Sequence, residues 1–315
     1  MYAIETKNLS KKYGKLNAVN DLNLAIPPGT LYGFIGPIGA GKTTTIRMMA
    51  GLLEPTSGEI LINGENIARN PQRARWLVGC MPDFFGVYDD MKVWEYIDFF
   101  ARCYKLPANR RTTIVDELLQ LVDLTDKKEA FVESLSRGMR QRLCLAHALV
   151  HDPQILLLDE PASGLDPRAR IEMRELLREL GRMGKTVLIS SHILTELAEM
   201  CDAVAIIEKG QLLAAGPVDE IARAARADKL LKIQLLSHDA ETVDRASHTL
   251  KAYPGVLDVF ESRDGDLEAA FTGDNEAIGG LLRHLVMENV PLISFGEAQS
   301  DLEDIFLRVT KGEVQ

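Results

Sequence analysis

The stretch Gly36-Pro37-Ile38-Gly39-Ala40-Gly41-Lys42-Thr43-Thr44, here called the phosphate loop, decides how the first part of the chain folds. It fits the pattern G-x-x-x-x-G-K-[ST], whose glycines let backbone N–H groups surround an anion. The apolar run before it (31–35) predicts a buried strand, and the run after it (43–50) predicts a helix whose N-terminus attracts negative charge. The sequence therefore predicts a nucleotide-binding loop, in which Lys42 reaches the β- and γ-phosphates and the Thr43 hydroxyl binds Mg²⁺.

Length and composition are those of a soluble globular protein. The chain has 315 residues, 46% of them hydrophobic and 26% charged, which predicts about two domains. A formal net charge of −10 disfavours a broad nucleic-acid-binding surface, because phosphate binding needs a basic surface. We therefore expect no nucleic-acid partner.

The cysteines and the start of the chain indicate where the protein works. Cys80, Cys103, Cys144 and Cys201 are scattered without a C-x-x-C pair, so we expect reduced thiols. The first residues have no apolar signal core, and no apolar run reaches the length of a membrane helix. These features predict a cytoplasmic chain that does not cross the membrane.

A second stretch carries acidic residues at a strand end. After Gln154, residues 155–158 are an apolar run, and Asp159 and Glu160 follow directly. In α/β sheets ligands bind beyond the carboxyl ends of parallel strands, and a carboxylate pair there favours a cation such as that of Mg·nucleotide. Residues 186–190 predict a neighbouring strand with His192 at its tip. That histidine either faces the γ-phosphate or is structural.

Aromatic residues concentrate between residues 83 and 104. Five apolar residues fall on one helical stripe, which predicts the core of a helical subdomain: Val93, Tyr96, Ile97, Phe100 and Tyr104. Phe84, Phe85, Trp94 and Phe99 lie off that stripe. They form either an exposed groove for a partner or a second buried face. Earlier in the chain, Asn63-Gly64 after the strand-like run 59–62 predicts a hairpin.

Taken in order, these motifs make residues 1–225 similar to the ATP-binding subunit of an ATP-binding-cassette (ABC) transporter. Six family motifs have a counterpart here: Tyr13 (adenine-stacking aromatic), residues 36–43 (Walker A), Leu135-Ser136-Arg137-Gly138-Met139 (signature), residues 155–160 (Walker B), Ser163-Gly164-Leu165-Asp166 (D-loop) and His192 (switch histidine). The resemblance implies an α/β P-loop NTPase cassette. Its parts are a RecA-like core, an antiparallel β subdomain and a helical subdomain at about residues 84–150.

The resemblance also implies the chemistry of the site. Two cassettes pair head to tail, and each ATP lies between the phosphate loop of one and the signature of the other. Glu160 would polarise the attacking water, Asp159 would support Mg²⁺, and His192 would hold the γ-phosphate. Ser136 and Gly138 of the paired cassette would donate to that phosphate. Such catalysis works by positioning and charge stabilisation.

Some positions depart from the commonest family pattern. Ile38 replaces a polar residue, and Arg137 and Met139 replace Gly and Gln in the signature, where the Arg137 guanidinium offers an added phosphate donor. Asp83 stands where the family's Q-loop glutamine is usual, and we expect it to bind Mg²⁺ in its place. The run 80–85 resembles the branch of ABC-2-type exporters, whose permease is a separate protein.

Residues 226–315 form a second predicted domain. Its order of elements, βαββαβ, predicts a small ferredoxin-like α+β fold. Ser300 and Glu303 form a capping box for a last amphipathic helix. A packing or dimer-supporting role and an effector-sensing role both remain open, because fold does not fix function.

Two functional interpretations follow. In the favoured one, the chain is the ATP-hydrolysing motor of an exporter. It pairs with a second copy or a paralogue and serves an ABC-2-type permease on the inner face of the membrane. In the alternative, it is a soluble ABC ATPase acting on ribosomes or nucleic acid. The single motif set and the acidic charge favour the exporter.

Overall fold

The structure is a computed structural model that describes residues 1–67, 69–83, 86–221, 229–237, 239–261 and 266–297. The chain divides into two compact units, one of residues 1–218 and one that begins at residue 219. Each unit has its own hydrophobic core.

The first unit contains a four-stranded antiparallel sheet near its N-terminus. Its strands are β1 (Ile4–Tyr13), β2 (Leu16–Ile26), β4 (Ser57–Ile62) and β5 (Glu65–Asn66), in the order β2-β1-β4-β5. Asn63 and Gly64 connect β4 and β5 with positive φ angles of 49° and 81°, as a two-residue hairpin turn requires. The predicted hairpin is confirmed.

A six-stranded sheet forms the centre of the first unit. Its strands are β3 (Leu31–Ile35), β6 (Val78–Met81), β7 (Ile155–Asp159), β8 (Thr186–Ser191), β9 (Ala203–Glu208) and β10 (Gln211–Pro217), in the order β10-β9-β3-β8-β7-β6. All neighbours pair in parallel except β10, which is antiparallel to β9. Strands β3, β7 and β8 are buried along their whole length, as is typical of a parallel sheet covered on both faces.

The register of the parallel strands positions the predicted motifs. Ile35 pairs with Ser191, and Asp159 pairs with Ser190. The ends of β3, β7 and β8 therefore lie side by side at one edge of the sheet. The phosphate loop, the acidic pair and His192 all leave the sheet from that edge.

Seven helices accompany these sheets in the described part of the first unit. They are α1 (Lys42–Met49), α2 (Pro71–Leu77), α3 (Val93–Cys103), α4 (Ala108–Leu121), α5 (Arg137–Leu149), α6 (Pro167–Arg182) and α7 (Leu194–Ala198). Helices α3, α4 and α5 contact one another and form the helical subdomain.

The aromatic stripe of α3 faces the interior of this subdomain. Val93, Tyr96 and Ile97 are buried, and Phe100 stacks on His147 of α5 with ring centroids 3.6 Å apart. Off the stripe, Trp94 is half-buried and Phe99 is 38% exposed. Phe84 and Phe85 lie outside the described residues, so the predicted groove is described in part.

The second unit has the order of elements expected from the sequence. It contains β11 (Lys229–Leu235), α8 (Ala240–Lys251), β12 (Val256–Glu261), β13 (Leu267–Phe271), α9 (Asn275–Met287) and β14 (Leu292–Glu297). The four strands form an antiparallel sheet in the order β12-β13-β11-β14. Alternate residues of β11 and β13 form one core with Leu250 of α8 and Leu281 of α9. Ser300, Glu303 and the expected last helix fall outside the described residues.

All four cysteines are free thiols, and Cys144 and Cys201 are buried. Burial raises the pKa of the Cys144 thiol to about 12, which favours the inert thiol form. Within the described residues, no helix has the length and apolar character needed to span a membrane.

Asp239 caps α8 and provides a test of the second unit. Its carboxylate accepts hydrogen bonds from the Ser237 hydroxyl and from the Thr242 N–H, and these bonds lower its pKa from 3.8 to about 2. The ionised form therefore stabilises the folded state above pH 3.8, and this stabilisation is lost as the pH falls through about 2. We expect Asp239→Ala to lower the urea midpoint at pH 7, with a difference from the wild type that narrows toward pH 2.

Circular dichroism during urea titration at several pH values measures this difference. Asp239→Asn is the matched control, because asparagine caps helices well but does not titrate. A difference between Asp239→Ala and the wild type that is independent of pH would contradict the assigned role.

Candidate functional site

A cleft of about 480 Å³ opens at the sheet edge where the motifs converge. Most of the predicted nucleotide residues line it: Tyr13, Pro37, Ile38, Gly39, Ala40, Gly41, Lys42, Thr43, Thr44, Asp83, Glu160 and His192. Ser163 of the D-loop and Lys209, which follows β9, also line it. The fold thus brings residues separated by almost two hundred positions into one cleft.

The glycines of the phosphate loop have two different roles. A Cβ atom at Gly36 would lie 2.3 Å from the Ile207 carbonyl oxygen, and one at Gly41 would lie 2.4 Å from that of Ala18, so neither position has room for a side chain. Gly39 has a φ of 84° and faces open space. The first two glycines therefore let the loop pack against its neighbours, and the third leaves backbone open toward the cleft.

Helix α1 begins directly at this loop. Its N-cap is Gly41, which provides no side-chain acceptor for the first N–H groups of the helix. Those groups have no partner within the helix and carry partial positive charge. An anion in the cleft would satisfy them, as in other phosphate-binding helix termini.

Lys42 lies in the loop with its ammonium group surrounded by oxygens. Only 6% of the residue is exposed. Its Nζ donates to the carbonyl oxygens of Gly36 at 2.6 Å and Pro37 at 3.2 Å, and lies 3.5 Å from Glu160. Burial lowers the pKa of Lys42, while the charge of Glu160 opposes that change. The lysine is therefore positioned where it can exchange these oxygens for phosphate oxygens.

Ser190 orders the two acidic residues at the end of β7. Its hydroxyl donates to Asp159 Oδ1 at 2.6 Å and accepts the Glu160 N–H at 2.9 Å. Asp159 is almost completely buried, and this donor satisfies one of its oxygens. The sequence interpretation did not assign a role to Ser190. The feature that could have indicated a role is its position, a hydroxyl at the end of an apolar strand and two residues before His192.

Glu160 connects the loop to the switch histidine. His192 Nδ1 donates to Glu160 Oε2 at 3.0 Å, while the other carboxylate oxygen faces Lys42. Glu160 has a φ of 50°, a left-handed conformation that is uncommon for a residue with a side chain. Such strain at a cleft is typical of a functional residue. The arrangement suits a carboxylate that orients a water molecule.

The cleft fits a metal ion that is completed by phosphate rather than a metal cage made of protein alone. Among the described residues, no three His, Cys, Asp or Glu side chains are grouped to hold a metal ion. Mg²⁺ is usually held by one or two protein ligands together with phosphates and water. Thr43 and Asp83 line the cleft, and Asp159 lies buried at the end of β7. The negative charges of Asp83, Asp159 and Glu160 all raise the pKa of Lys42 and so oppose the effect of its burial. The Lys42 ammonium is therefore a common counter-charge for the three carboxylates.

Six predicted nucleotide residues do not line this cleft in the described part of the chain: Gly36, Ser136, Arg137, Gly138, Met139 and Asp166. Ser136 Oγ caps α5 by accepting the Met139 N–H at 3.3 Å. Asp166 caps α6 by accepting the Ala169 N–H at 2.9 Å. The Arg137 guanidinium donates to the Ser163 carbonyl oxygen of its own chain.

The fold and the cleft define a P-loop nucleotide-hydrolysing protein. The family described as ABC transporter matches residues 19–163. The Nod factor export ATP-binding protein I of Burkholderia orbicola is 35% identical over an alignment 327 residues long. The alignment covers 99% of this chain and 98% of that protein. The bacitracin transport ATP-binding protein BcrA of Bacillus licheniformis is 36% identical over 312 residues, which cover 98% and 97%.

A solved structure described as the ATP binding subunit of an ABC transporter has the same fold. It is 32% identical, covers 70% of this chain and 92% of its own, and gives a TM-score of 0.64. The chain therefore belongs to the ATP-binding subunits of ABC transporters, and it is an ATPase of the kind coupled to transport. The expected cassette fold is confirmed.

Lys42 provides the test of nucleotide binding. MgATP at about 100 times its Kd should stabilise the folded protein by about 2.7 kcal/mol. We expect Lys42→Ala to remove most of the resulting shift in Tm, because the phosphates lose their buried cation. Lys127→Ala, at an exposed position away from the cleft, is the control. An undiminished shift in the Lys42→Ala protein would rule out the assignment.

Proposed function

We propose that this chain is the ATP-hydrolysing motor of an ABC exporter, which binds MgATP between two paired cassettes and drives a separate membrane permease. The observation that carries the proposal is the cleft itself, in which the phosphate loop, Glu160 and His192 converge. The names of the two relatives, one for Nod factor export and one for bacitracin transport, support a role in export.

Pairing of two cassettes is supported by what the cleft does not contain. The signature residues 136–139 do not line the cleft of their own chain, as far as the described residues extend. Signature residues would contact a nucleotide in this cleft if a second copy or a paralogue, placed head to tail, supplied them. In that arrangement Ser136, Gly138 and the N-terminus of α5 would face the γ-phosphate held by the other chain.

The residues of this chain would then have separate roles in binding the nucleotide, in hydrolysis and in holding the metal. Lys42 and His192 would bind the γ-phosphate, and Tyr13, which is 49% exposed beside the loop, would stack on the base. Glu160 would orient the attacking water and accept its proton. Thr43, Asp83 and Asp159 would hold Mg²⁺, which neutralises charge on the phosphates when it is bound.

We also propose that exposed aromatic rings on the helical subdomain contact the permease. Phe99 is 38% exposed and packs edge to face on Tyr88, which is 53% exposed. Rings at this position offer an apolar contact for a short helix of an ABC-2-type permease. This partner would hold the chain on the inner face of the membrane.

We further propose that the chain works as two domains, a cassette of residues 1–225 and an accessory domain of residues 226–315. The separate core of the second unit supports this division. Of the two roles left open by the sequence, we propose packing or support of a dimer for this domain.

Glu160→Gln separates hydrolysis from binding. Glutamine keeps the size of the side chain but cannot accept a proton from water, so we expect hydrolysis to fall at least about 100-fold while the MgATP-dependent Tm shift persists. Because the nucleotide is no longer cleared, the variant should elute as an ATP-dependent dimer in gel filtration. Glu179→Gln on the exposed face of α6 is the control. Normal hydrolysis by the Glu160→Gln protein would remove Glu160 from this role.

Asp83 is tested by the Mg²⁺ dependence of hydrolysis. A carboxylate binds Mg²⁺ through oxygen and does so at least as well as the glutamine usual at this position. We expect Asp83→Ala to raise the Mg²⁺ concentration that gives half-maximal ATPase rate, and Asp83→Gln to retain much of the activity. Titrations at fixed ATP measure both effects. Superimposable Mg²⁺ curves for the three proteins would exclude Asp83 from the metal site.

A further inference from the structure

The N-terminus of α5 is fastened to the D-loop (residues 163–166) of the same chain. Arg137 Nη2 donates to the Ser163 carbonyl oxygen at 3.1 Å. Gln141, one turn later on α5, donates its Nε2 to the same oxygen, also at 3.1 Å. Two side chains of one helix therefore hold a single carbonyl of the D-loop.

Gly164 makes room for the Arg137 guanidinium. Its φ is 67°, and a Cβ atom there would lie 2.4 Å from Arg137 Cζ and 2.5 to 2.7 Å from the two terminal nitrogens. The whole planar group thus lies against the glycine. Gly138 is packed less tightly, because a Cβ atom there would be 3.2 Å from Ala169 Cβ and 3.4 Å from Leu165 Cδ2 of the D-loop. The signature and the D-loop are packed as neighbours.

The contact continues to the proposed catalytic carboxylate. The Ser163 N–H donates to the Glu160 carbonyl oxygen at 3.0 Å, which closes the short turn between them. The Glu160 side chain in turn meets Lys42 and His192. Arg137 therefore connects to the hydrolytic cleft of its own chain through one carbonyl and one turn.

The Arg137 side chain is exposed, so this contact contributes little to the stability of the fold. Gln141, by contrast, is buried, and its hydrogen bond to the Ser163 carbonyl would remain. Loss of the Arg137 contact alone would leave the unit folded and would loosen the D-loop on the side that faces the signature.

We propose that Arg137 is a positioning residue that transmits the state of the signature to Glu160 through the D-loop. The inference rests on the proposed head-to-tail pairing, in which the signature meets the nucleotide held by the other chain. A shift of α5 on that nucleotide would move Ser163 and, with it, the turn that holds Glu160. Hydrolysis at one ATP site would then depend on occupancy of the other.

The test compares Arg137→Met with the wild type. Methionine keeps a long side chain and a good helix former but has no donor for the Ser163 carbonyl. We expect the amide hydrogens of residues 160–166 to exchange about tenfold faster, as measured by mass spectrometry on the nucleotide-free full chain. We expect kcat to fall about tenfold and the Hill coefficient for ATP to fall from above 1 to about 1, with little change in half-saturating ATP.

Two further variants sharpen the comparison. Arg137→Lys retains a charged donor and should recover the cooperativity of the wild type. Arg110→Met, on the exposed face of α4, removes an arginine away from the D-loop and should behave as the wild type. Unchanged D-loop exchange in Arg137→Met, or faster exchange with unchanged rate and cooperativity, would overturn the proposal.

A dimer assay separates this inference from the proposed function. In the Glu160→Gln background, both the single variant and its combination with Arg137→Met should form ATP-dependent dimers. If only the combined variant stays monomeric, Arg137 contacts the nucleotide directly and the positioning role is wrong. If the single variant also stays monomeric, the head-to-tail pairing itself fails, and transmission between sites is overturned with it.

Discussion

The parallel register of three buried strands is the constraint on which the site depends. Ile35, Asp159 and Ser190–Ser191 end β3, β7 and β8 at one edge of the central sheet. Backbone pairing alone thus brings a loop, two acids and an imidazole together from distant parts of the chain. A slip of one residue in β7 would turn Asp159 away from Ser190 and leave its carboxylate buried without that donor. The apolar side chains of these strands therefore fix the chemistry as firmly as the polar residues do.

Charge balance is the second consequence of that convergence. Lys42 is nearly inaccessible to water, and an isolated buried ammonium would be costly. Two loop carbonyls and the Glu160 carboxylate share its charge, while Asp159 and Asp83 act from further away. A nucleotide brings its own negative charge into this set. In the proposed function, binding would replace the oxygens around Lys42 with phosphate oxygens, and Glu160 would become free for other partners.

Much of this arrangement follows from the sequence, and the reasons are local. The phosphate loop, the strand ending in Asp159 and Glu160, and the Asn63-Gly64 hairpin each carry a pattern whose geometry is specific. The signature motif was recognisable too, but the direction of the Arg137 side chain was not. It depends on the space left by Gly164, 27 positions away, and on the carbonyl of Ser163. Ser190 was missed for a related reason, since one hydroxyl in an apolar strand has meaning only when its neighbours in space are known.

The close packing of Gly36 and Gly41 has a thermodynamic consequence. Gly36 is packed against the backbone of β9 and Gly41 against that of β2, so neighbouring strands and not the nucleotide determine the shape of the loop. A ligand then meets a preorganised cradle and spends little free energy on ordering it. In the proposed function, this cradle would bind the phosphates that ADP and ATP share about equally well. Discrimination between ADP and ATP would then come from the side chains that the proposed function places at the γ-phosphate and the attacking water, which are Lys42, His192 and Glu160. Affinity would thereby depend mainly on the backbone of the loop, and discrimination on these side chains.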